Sequence, residues 1–208
     1  MRTPGRLAFY YGPMGAGKST SALQTHFNQV QQDRRGVLVT QRDRSGKALV
    51  TSRIGLAAEA LLIEATTDLT ELIVGAGTAR IVDFAVCDEA QFLSPRQVDQ
   101  LAGLADDHGV DVFAYGLLTD FRSVLFPGSA RLVELADELH RLQAVVLCWC
   151  GRAALLNARV VDGRVARTGE VVAVGDTQEA PVRYQALCRR HHIEGRTRGH
   201  AAGEAKGL

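Results

Sequence analysis

The chain carries almost no charge excess of either sign: 24 Lys and Arg stand against 23 Asp and Glu, a formal net charge of +1. No whole-chain field therefore draws it onto nucleic acid or a membrane surface. It has no apolar run long enough to cross a bilayer. Its N-terminus, MRTPGRLAFYYG, lacks a small-residue cleavage site and reads as a mature end rather than a signal peptide. A cytoplasmic protein is the expectation. Cysteine is scarce, with only Cys87, Cys148, Cys150 and Cys188. A reducing cytoplasm disfavours a disulfide framework. Three of the four lie late in the chain beside a histidine pair, which points to a metal rather than to redox chemistry. There is no internal repeat. What is present is ordinary for a soluble globular protein, 46% hydrophobic and 23% charged, in 208 residues. That length suffices for one good core and a small appendage.

Strands and helices alternate along most of the chain. RLAFYYG (6–12) is short, apolar and closed by glycine, which reads as a buried strand. KSTSALQTHFNQVQQD then has helical spacing, with Leu23, Phe27 and Val30 on one face. GVLVTQ (36–41) is a second strand, and the polar segment 46–53 reads as a loop. LAAEALLI and DLTELIVGAG supply a short strand and a helix, in an order left open. ARIVDFAVCDEAQF (79–92) is an apolar run ending in acids, another buried strand. SPRQVDQLAGLADDHG opens with a Ser94 cap and Pro95 and closes with glycine, the signature of a helix. VDVFAYGL is a strand, ARLVELADELHRL a helix with Leu132, Leu135 and Leu139 on one side, and QAVVLC the last strand of the series. This alternation predicts an α/β fold with a mostly parallel sheet covered on both faces. At Cys148 the texture changes to short valine-rich pieces with turns. The expected division is a nucleotide-binding domain over 1–146, a metal-binding domain over 147–194 and a disordered polar tail over 195–208.

The most specific stretch is GPMGAGKST, formed by Gly12, Pro13, Met14, Gly15, Ala16, Gly17, Lys18, Ser19 and Thr20. It fits G-x-x-x-x-G-K-S between an expected strand and an expected helix. Backbone N–H groups of such a turn point at a phosphate, and the helix N-terminus adds partial positive charge. Lys18 would reach the β and γ phosphates of ATP, and the Ser19 hydroxyl would bind Mg²⁺. Downstream, VCDEAQF sets Asp88 and Glu89 at a strand end. One carboxylate there helps hold Mg²⁺, and a second can act as a base. DEAQ also resembles the acidic box of helicases, but a helicase motor needs two such domains, and 208 residues cannot hold both plus a cysteine module.

Cys148, Cys150, Cys188 and His191 form two ligand pairs suited to a closed, structural Zn²⁺ site of the zinc-ribbon kind. C-R-R-H is good ligand spacing, whereas C-W-C has one intervening residue where two are usual. His192 is an alternative fourth ligand, and free thiols with no metal are the competing reading. Cys87 lies inside an apolar strand and reads as a core residue.

GPMGAGKST, DEAQF, GLLTDFRSVLFPGSARLVELADEL and YQALCRRHH, in this order, resemble the thymidine kinases of the cellular, tetrameric type. QRDRSGKALVTSRIG is a weaker match, and the resemblance spans about residues 6–192. It implies a RecA-like P-loop core with a small zinc-bearing lasso domain that closes over the nucleoside. It implies transfer of the γ-phosphate of ATP to the 5′-hydroxyl of thymidine, with deoxyuridine also accepted. It implies Glu89 as the general base, and Ser19 and Asp88 at Mg²⁺. Met14, Phe92, Leu117, Phe121 and Tyr184 match residues around the base, and the lasso from Val171 to Tyr184 would bind the thymine edge through backbone groups. For Phe92, Phe121 and Leu117 the competing reading is plain core packing. Arg122 matches a family arginine. A homotetramer inhibited by thymidine triphosphate is also implied, with neither nucleic acid nor membrane as partner. The chain departs from the family pattern in having Leu118 where an aspartate is usual, in the adjacent Asp43-Arg44, and in C-W-C. Two other readings remain: a deoxynucleoside kinase of different specificity, and a non-catalytic nucleotide-binding regulator with a zinc ribbon.

Overall fold

The computed structural model describes residues 3–41, 48–75, 82–143, 145–169, 171 and 182–198. The chain divides into two compact units, the first made of Met1–Gly12, Gly17–Leu118 and Phe126–Leu142. In chain order it runs β1 (Leu7–Tyr11), α1 (Lys18–Val30), β2 (Gly36–Gln41), β3 (Leu49–Thr51), β4 (Ala57–Glu59), β5 (Leu61–Ile63), α2 (Leu69–Gly75), β6 (Phe84–Asp88), α3 (Pro95–His108), β7 (Asp111–Gly116), α4 (Pro127–Leu135) and β8 (Glu138–Arg141). Six strands pair in the order β5-β2-β6-β7-β1-β8, and every neighbouring pair is parallel.

Both faces of this sheet are buried, and the period-2 alternation of strands divides the side chains between them. Leu7, Phe9, Ala85, Cys87, Val112 and Ala114 face one core, shared with Val98, Leu101 and Leu104 of α3 and Leu132 of α4. Phe84, Val86, Phe113 and Tyr115 face the other, against Ala22 and Leu23 of α1. Burying each such large side chain contributes about 1.5–3 kcal/mol. Cys87 is a fully buried core residue, as the apolar run suggests. Helix α3 begins as expected: the Ser94 hydroxyl accepts from the Gln97 N–H, Gln97 answers the Ser94 N–H, and Pro95 opens the first turn.

The structure corrects several local expectations. On α1 the buried pair is Ala22 and Leu23, while Phe27 and Val30 are 57% and 44% exposed. The end of the 46–53 segment is not loop: β3 pairs with β4 as an antiparallel hairpin. The order left open is β4, β5, then α2. Helix α4 stops at Leu135, because Ala136 turns extended. Asp137 then docks on β1, its N–H donating to the Leu7 carbonyl and its carboxylate accepting from the Leu7 N–H. The chain continues as the parallel edge strand β8, so Leu139 sits on a strand and is 47% exposed. Among its described residues the QAVVLC stretch adds no strand to this sheet; Leu147 makes an isolated bridge to Ala153.

The second unit comprises Pro13–Ala16, Thr119–Leu125 and Gln143–Leu208, so it starts at Gln143 and takes in two loops of the expected first domain. It contains β9 (Leu156–Val161), β10 (Arg164–Val165), β11 (Val182–Leu187) and α5 (Arg189–Glu194). The three strands form an antiparallel sheet in the order β10-β9-β11. Cys148, Ala154, Ala158, Val160, Leu187 and Cys188 make its core. Residues 195–198, expected in the disordered tail, pack instead. Thr197 is buried and donates to the Gly163 carbonyl, and the Trp149 indole donates to the Arg196 carbonyl. Among the described residues no helix is long and apolar enough to cross a membrane.

Candidate active site

Parallel strands bring their carboxyl ends to one edge of the sheet, the usual position for ligands in such folds. β1 runs out into Gly12 and the phosphate-loop sequence, and α1 opens at Lys18. Gly15 and Gly17 have φ of 81° and 76°, so the loop turns in conformations that favour glycine. Ala16 N–H donates to the Pro13 carbonyl at 3.1 Å. Gly12 N–H reaches the Gly116 carbonyl at the end of β7. The Lys18 ammonium lies 3.3 Å from the Gly12 carbonyl. Burial pushes its pKa down, and the carboxylates of Glu89 and Asp88 pull it back up. Ser19 and Thr20 follow in the first turn of α1.

Asp88 ends β6, two strands from the loop. It is 4% exposed, and burial, then the Glu89 charge, push its pKa up to about 6. The Ser19 hydroxyl bonds its side chain and, with Lys18, acts in the opposite direction. Its Oδ1 is buried and accepts no hydrogen bond from the described residues. A buried carboxylate oxygen without a donor, beside a serine hydroxyl, is the donor set a hard cation takes. Glu89 follows with φ of 54°, a left-handed conformation uncommon outside glycine. Its carboxylate accepts a hydrogen bond from the Gln91 amide.

Around these groups, Phe92 is half-buried and packs edge-on against Phe126, centroids 5.6 Å apart. Leu117 is half-buried at the end of β7. Leu118, partly buried, packs against the larger core.

In the second unit, the Met14 N–H donates to the Asn157 side chain on β9 at 2.8 Å. Phe121 is buried, with the Arg122 and Arg159 guanidinium carbons each 5.7 Å from its ring centre. Asp120, also buried, anchors this loop by accepting from the Arg122 and Val124 N–H groups and from the Arg122 side chain. Arg122 is thereby tied to its own loop. Tyr184 lies on β11 opposite Arg159 and is half-buried, as is Val171. Most of the Val171–Tyr184 segment, and Asp43 and Arg44, lie outside the described residues.

Cys148, Cys150, Cys188 and His191 converge, with all four ligand atoms within 4.8 Å of one another. Cys148 Sγ lies 3.4 Å from His191 Nδ1, and Cys150 Sγ 3.9 Å from Cys188 Sγ. Zinc with sulfur ligands at about 2.3 Å sets sulfur separations of roughly 3.8 Å, so the residues fit that ion. The Arg152 N–H, bonding to sulfur, holds the Cys150 thiol below its usual range. The C-W-C spacing is accommodated by a tight turn, with Gly151 N–H donating to the Cys148 carbonyl. Trp149 between the cysteines stacks on His191 at 4.1 Å. His192, the alternative ligand, is turned away: its Nε2 meets the Phe121 carbonyl at 2.9 Å. Sequence reasoning missed this bond, as it missed the roles of Asn157, Asp120 and Gln91.

A family model described as thymidine kinase matches residues 5–192. The chain is 49% identical to a thymidine kinase of Cutibacterium acnes, over 92% of this chain and 89% of that one. It is 48% identical to one of Streptomyces avermitilis, over 89% and 88% of the two chains. A thymidine kinase of Novosphingobium aromaticivorans is 45% identical, over 91% and 97%. Among solved structures, the Pif1 helicase of Candida albicans is a distant likeness, with TM-score 0.42 and 15% identity over 66% of this chain and 36% of that one. With a family match across nearly its whole length and relatives of this identity, the chain belongs to the thymidine kinase family.

Proposed function

We propose that the protein transfers the γ-phosphate of ATP to the 5′-hydroxyl of thymidine, giving thymidine monophosphate and ADP. The observation that carries this reading is geometric: Lys18 opens α1 just past the end of β1, and β6 ends at Asp88 with Glu89 next, so the lysine and both acids stand at the same carboxyl edge of the parallel sheet. A non-catalytic nucleotide-binding regulator has no use for Glu89.

The residues divide the work. The loop from Gly12 to Thr20 holds the triphosphate through backbone N–H groups, and Lys18 meets the charge on its terminal oxygens. Ser19 and the unpartnered oxygen of Asp88 would hold Mg²⁺, which supplies charge neutralisation at the β and γ oxygens when bound. Glu89 accepts the 5′-hydroxyl proton as that oxygen bonds to the γ-phosphorus. The bond from phosphorus to the bridging oxygen breaks, and its electron pair leaves with ADP. Phe92, Leu117, Met14, Phe121, Val171 and Tyr184 are assigned to the nucleoside by resemblance, residue by residue. Zn²⁺ on Cys148, Cys150, Cys188 and His191 is structural, since four protein ligands leave no open position. A cytoplasmic homotetramer is part of the same reading.

Labelled ATP and thymidine test it. Wild-type protein should form labelled thymidine monophosphate. Glu89→Gln should lower turnover about 10²–10⁴-fold while ATP binding persists. No transfer by the wild type, with ATP bound, would point to the regulator instead.

A further inference from the structure

Gln91 is 1% exposed, in the one-turn 3₁₀ segment Ala90–Phe92 that follows Glu89. A glutamine amide is costly to bury unless both ends are satisfied. Here both are. Its Nε2 donates to the Glu89 carboxylate, and its Oε1 accepts from the Leu117 N–H at 2.9 Å. The amide has only one orientation that works, because a carboxylate can only accept and a backbone N–H can only donate.

The surroundings hold the amide still. A Cβ on Gly116 would come within 2.9 Å of Gln91 Oε1 and 3.0 Å of its backbone nitrogen. A Cβ on Gly128 would meet the Leu93, Ala90 and Gln91 carbonyls at 2.5, 2.8 and 3.0 Å. Glycine at both positions lets β7 and α4 close on the turn from two sides. Leu117 is fixed again through its carbonyl, which accepts from the Ser129 hydroxyl at 2.6 Å. Glu89, by contrast, sits in a left-handed backbone conformation, which persists where the surroundings hold it, and its carboxylate accepts from the Gln91 amide.

We propose that Gln91 is a positioning residue: it locks the Glu89 carboxylate to the Leu117 backbone at the end of β7, so that proton acceptor and nucleoside-side backbone move as one body. This rests on the reading of Glu89 as the base. A side chain acting only through Glu89 should matter only while Glu89 can act, because groups working as a unit are not additive.

The test is a cycle in the whole protein, with Gln91→Met and Gln91→Glu made alone and in a Glu89→Gln background. Gln91→Met removes both hydrogen bonds at similar volume. Gln91→Glu keeps an acceptor for the Leu117 N–H and sets an acceptor against Glu89, which isolates the link to the base should the methionine variant fold poorly. Alone, each should lower kcat about 10- to 100-fold, the scale of a misplaced catalytic group. The KM for ATP should stay within about threefold. In the Glu89→Gln background neither should lower kcat further. Near-normal kcat for Gln91→Glu, or an equal fall in both backgrounds, overturns the positioning role and leaves the base assignment standing. Near-normal turnover by Glu89→Gln itself overturns the base assignment, and the positioning role with it.

Discussion

His192 Nε2 lies 2.9 Å from the Phe121 carbonyl, and the residue before it, His191, completes the cysteine cluster. Because a carbonyl can only accept, Nε2 carries the hydrogen, which leaves Nδ1 to accept from Ser123 or Arg167, each 3.4 Å away. The loop bearing Phe121 is thus tied to the helix that carries His191 of the cysteine cluster. His192→Ala should raise the KM for thymidine several-fold and leave the KM for ATP nearly unchanged. Equal effects on both substrates would mean that His192 supports the fold in general and not this loop.

The metal assignment has its own check. Purified protein should hold about one zinc per chain, and Cys188→Ser should lose it, since four ligands make a closed site. Elemental analysis reads both. Active protein with zinc near zero would reject the site.

Lys18→Ala should abolish phosphoryl transfer and leave the circular dichroism spectrum unchanged. Lys18 is half-buried and sits at the first position of α1 rather than in either hydrophobic core. Turnover persisting at saturating ATP would contradict the assignment of the phosphate loop.

Asp88 links stability to pH. Its pKa rises from 3.8 in the unfolded chain to about 6 in the fold, through burial and the neighbouring Glu89, with Lys18 and Ser19 opposing. The folded state therefore holds this proton more tightly. Stability falls as pH rises from about 4 to about 6, and the penalty remains in full above that window. At 1.36 kcal/mol per pH unit it is on the order of 3 kcal/mol. Asp88→Asn should be inactive yet more stable than wild type at pH 7.5, by about 1–3 kcal/mol, with the gap closing below pH 4. Chemical denaturation without divalent cations at both pH values measures this. A destabilised Asp88→Asn at pH 7.5 would show that the carboxylate is not under strain.

Much of this site was legible because its signals are local. The G-x-x-x-x-G-K-S string fixes loop and helix start together, and the Ser94-Pro95 start and Gly109 end of α3 follow capping chemistry alone. β8 was not legible, because what makes it a strand is the docking of Asp137 on Leu7, 130 residues earlier in the chain. The exposure of Phe27 and Val30 was hidden for a similar reason: helical spacing gives a face and says nothing of how far the sheet reaches along it. The role of Gln91 needed the Leu117 N–H, which no sequence pattern places beside it. Leu118 read as a missing aspartate, and the fold uses it as core.

Substrate choice tests the account most directly. Backbone groups bind the base edge in this account, so a wrong edge leaves donors or acceptors buried and unpaired, at about 1–3 kcal/mol each. One methyl in an apolar pocket contributes less, around 1 kcal/mol. The measurement is kcat/KM for thymidine, deoxyuridine, deoxycytidine and deoxyguanosine at fixed ATP. Thymidine should lead, deoxyuridine should follow within about tenfold, and the other two should fall far below. Deoxycytidine or deoxyguanosine matching thymidine would contradict the account, even with phosphoryl transfer intact.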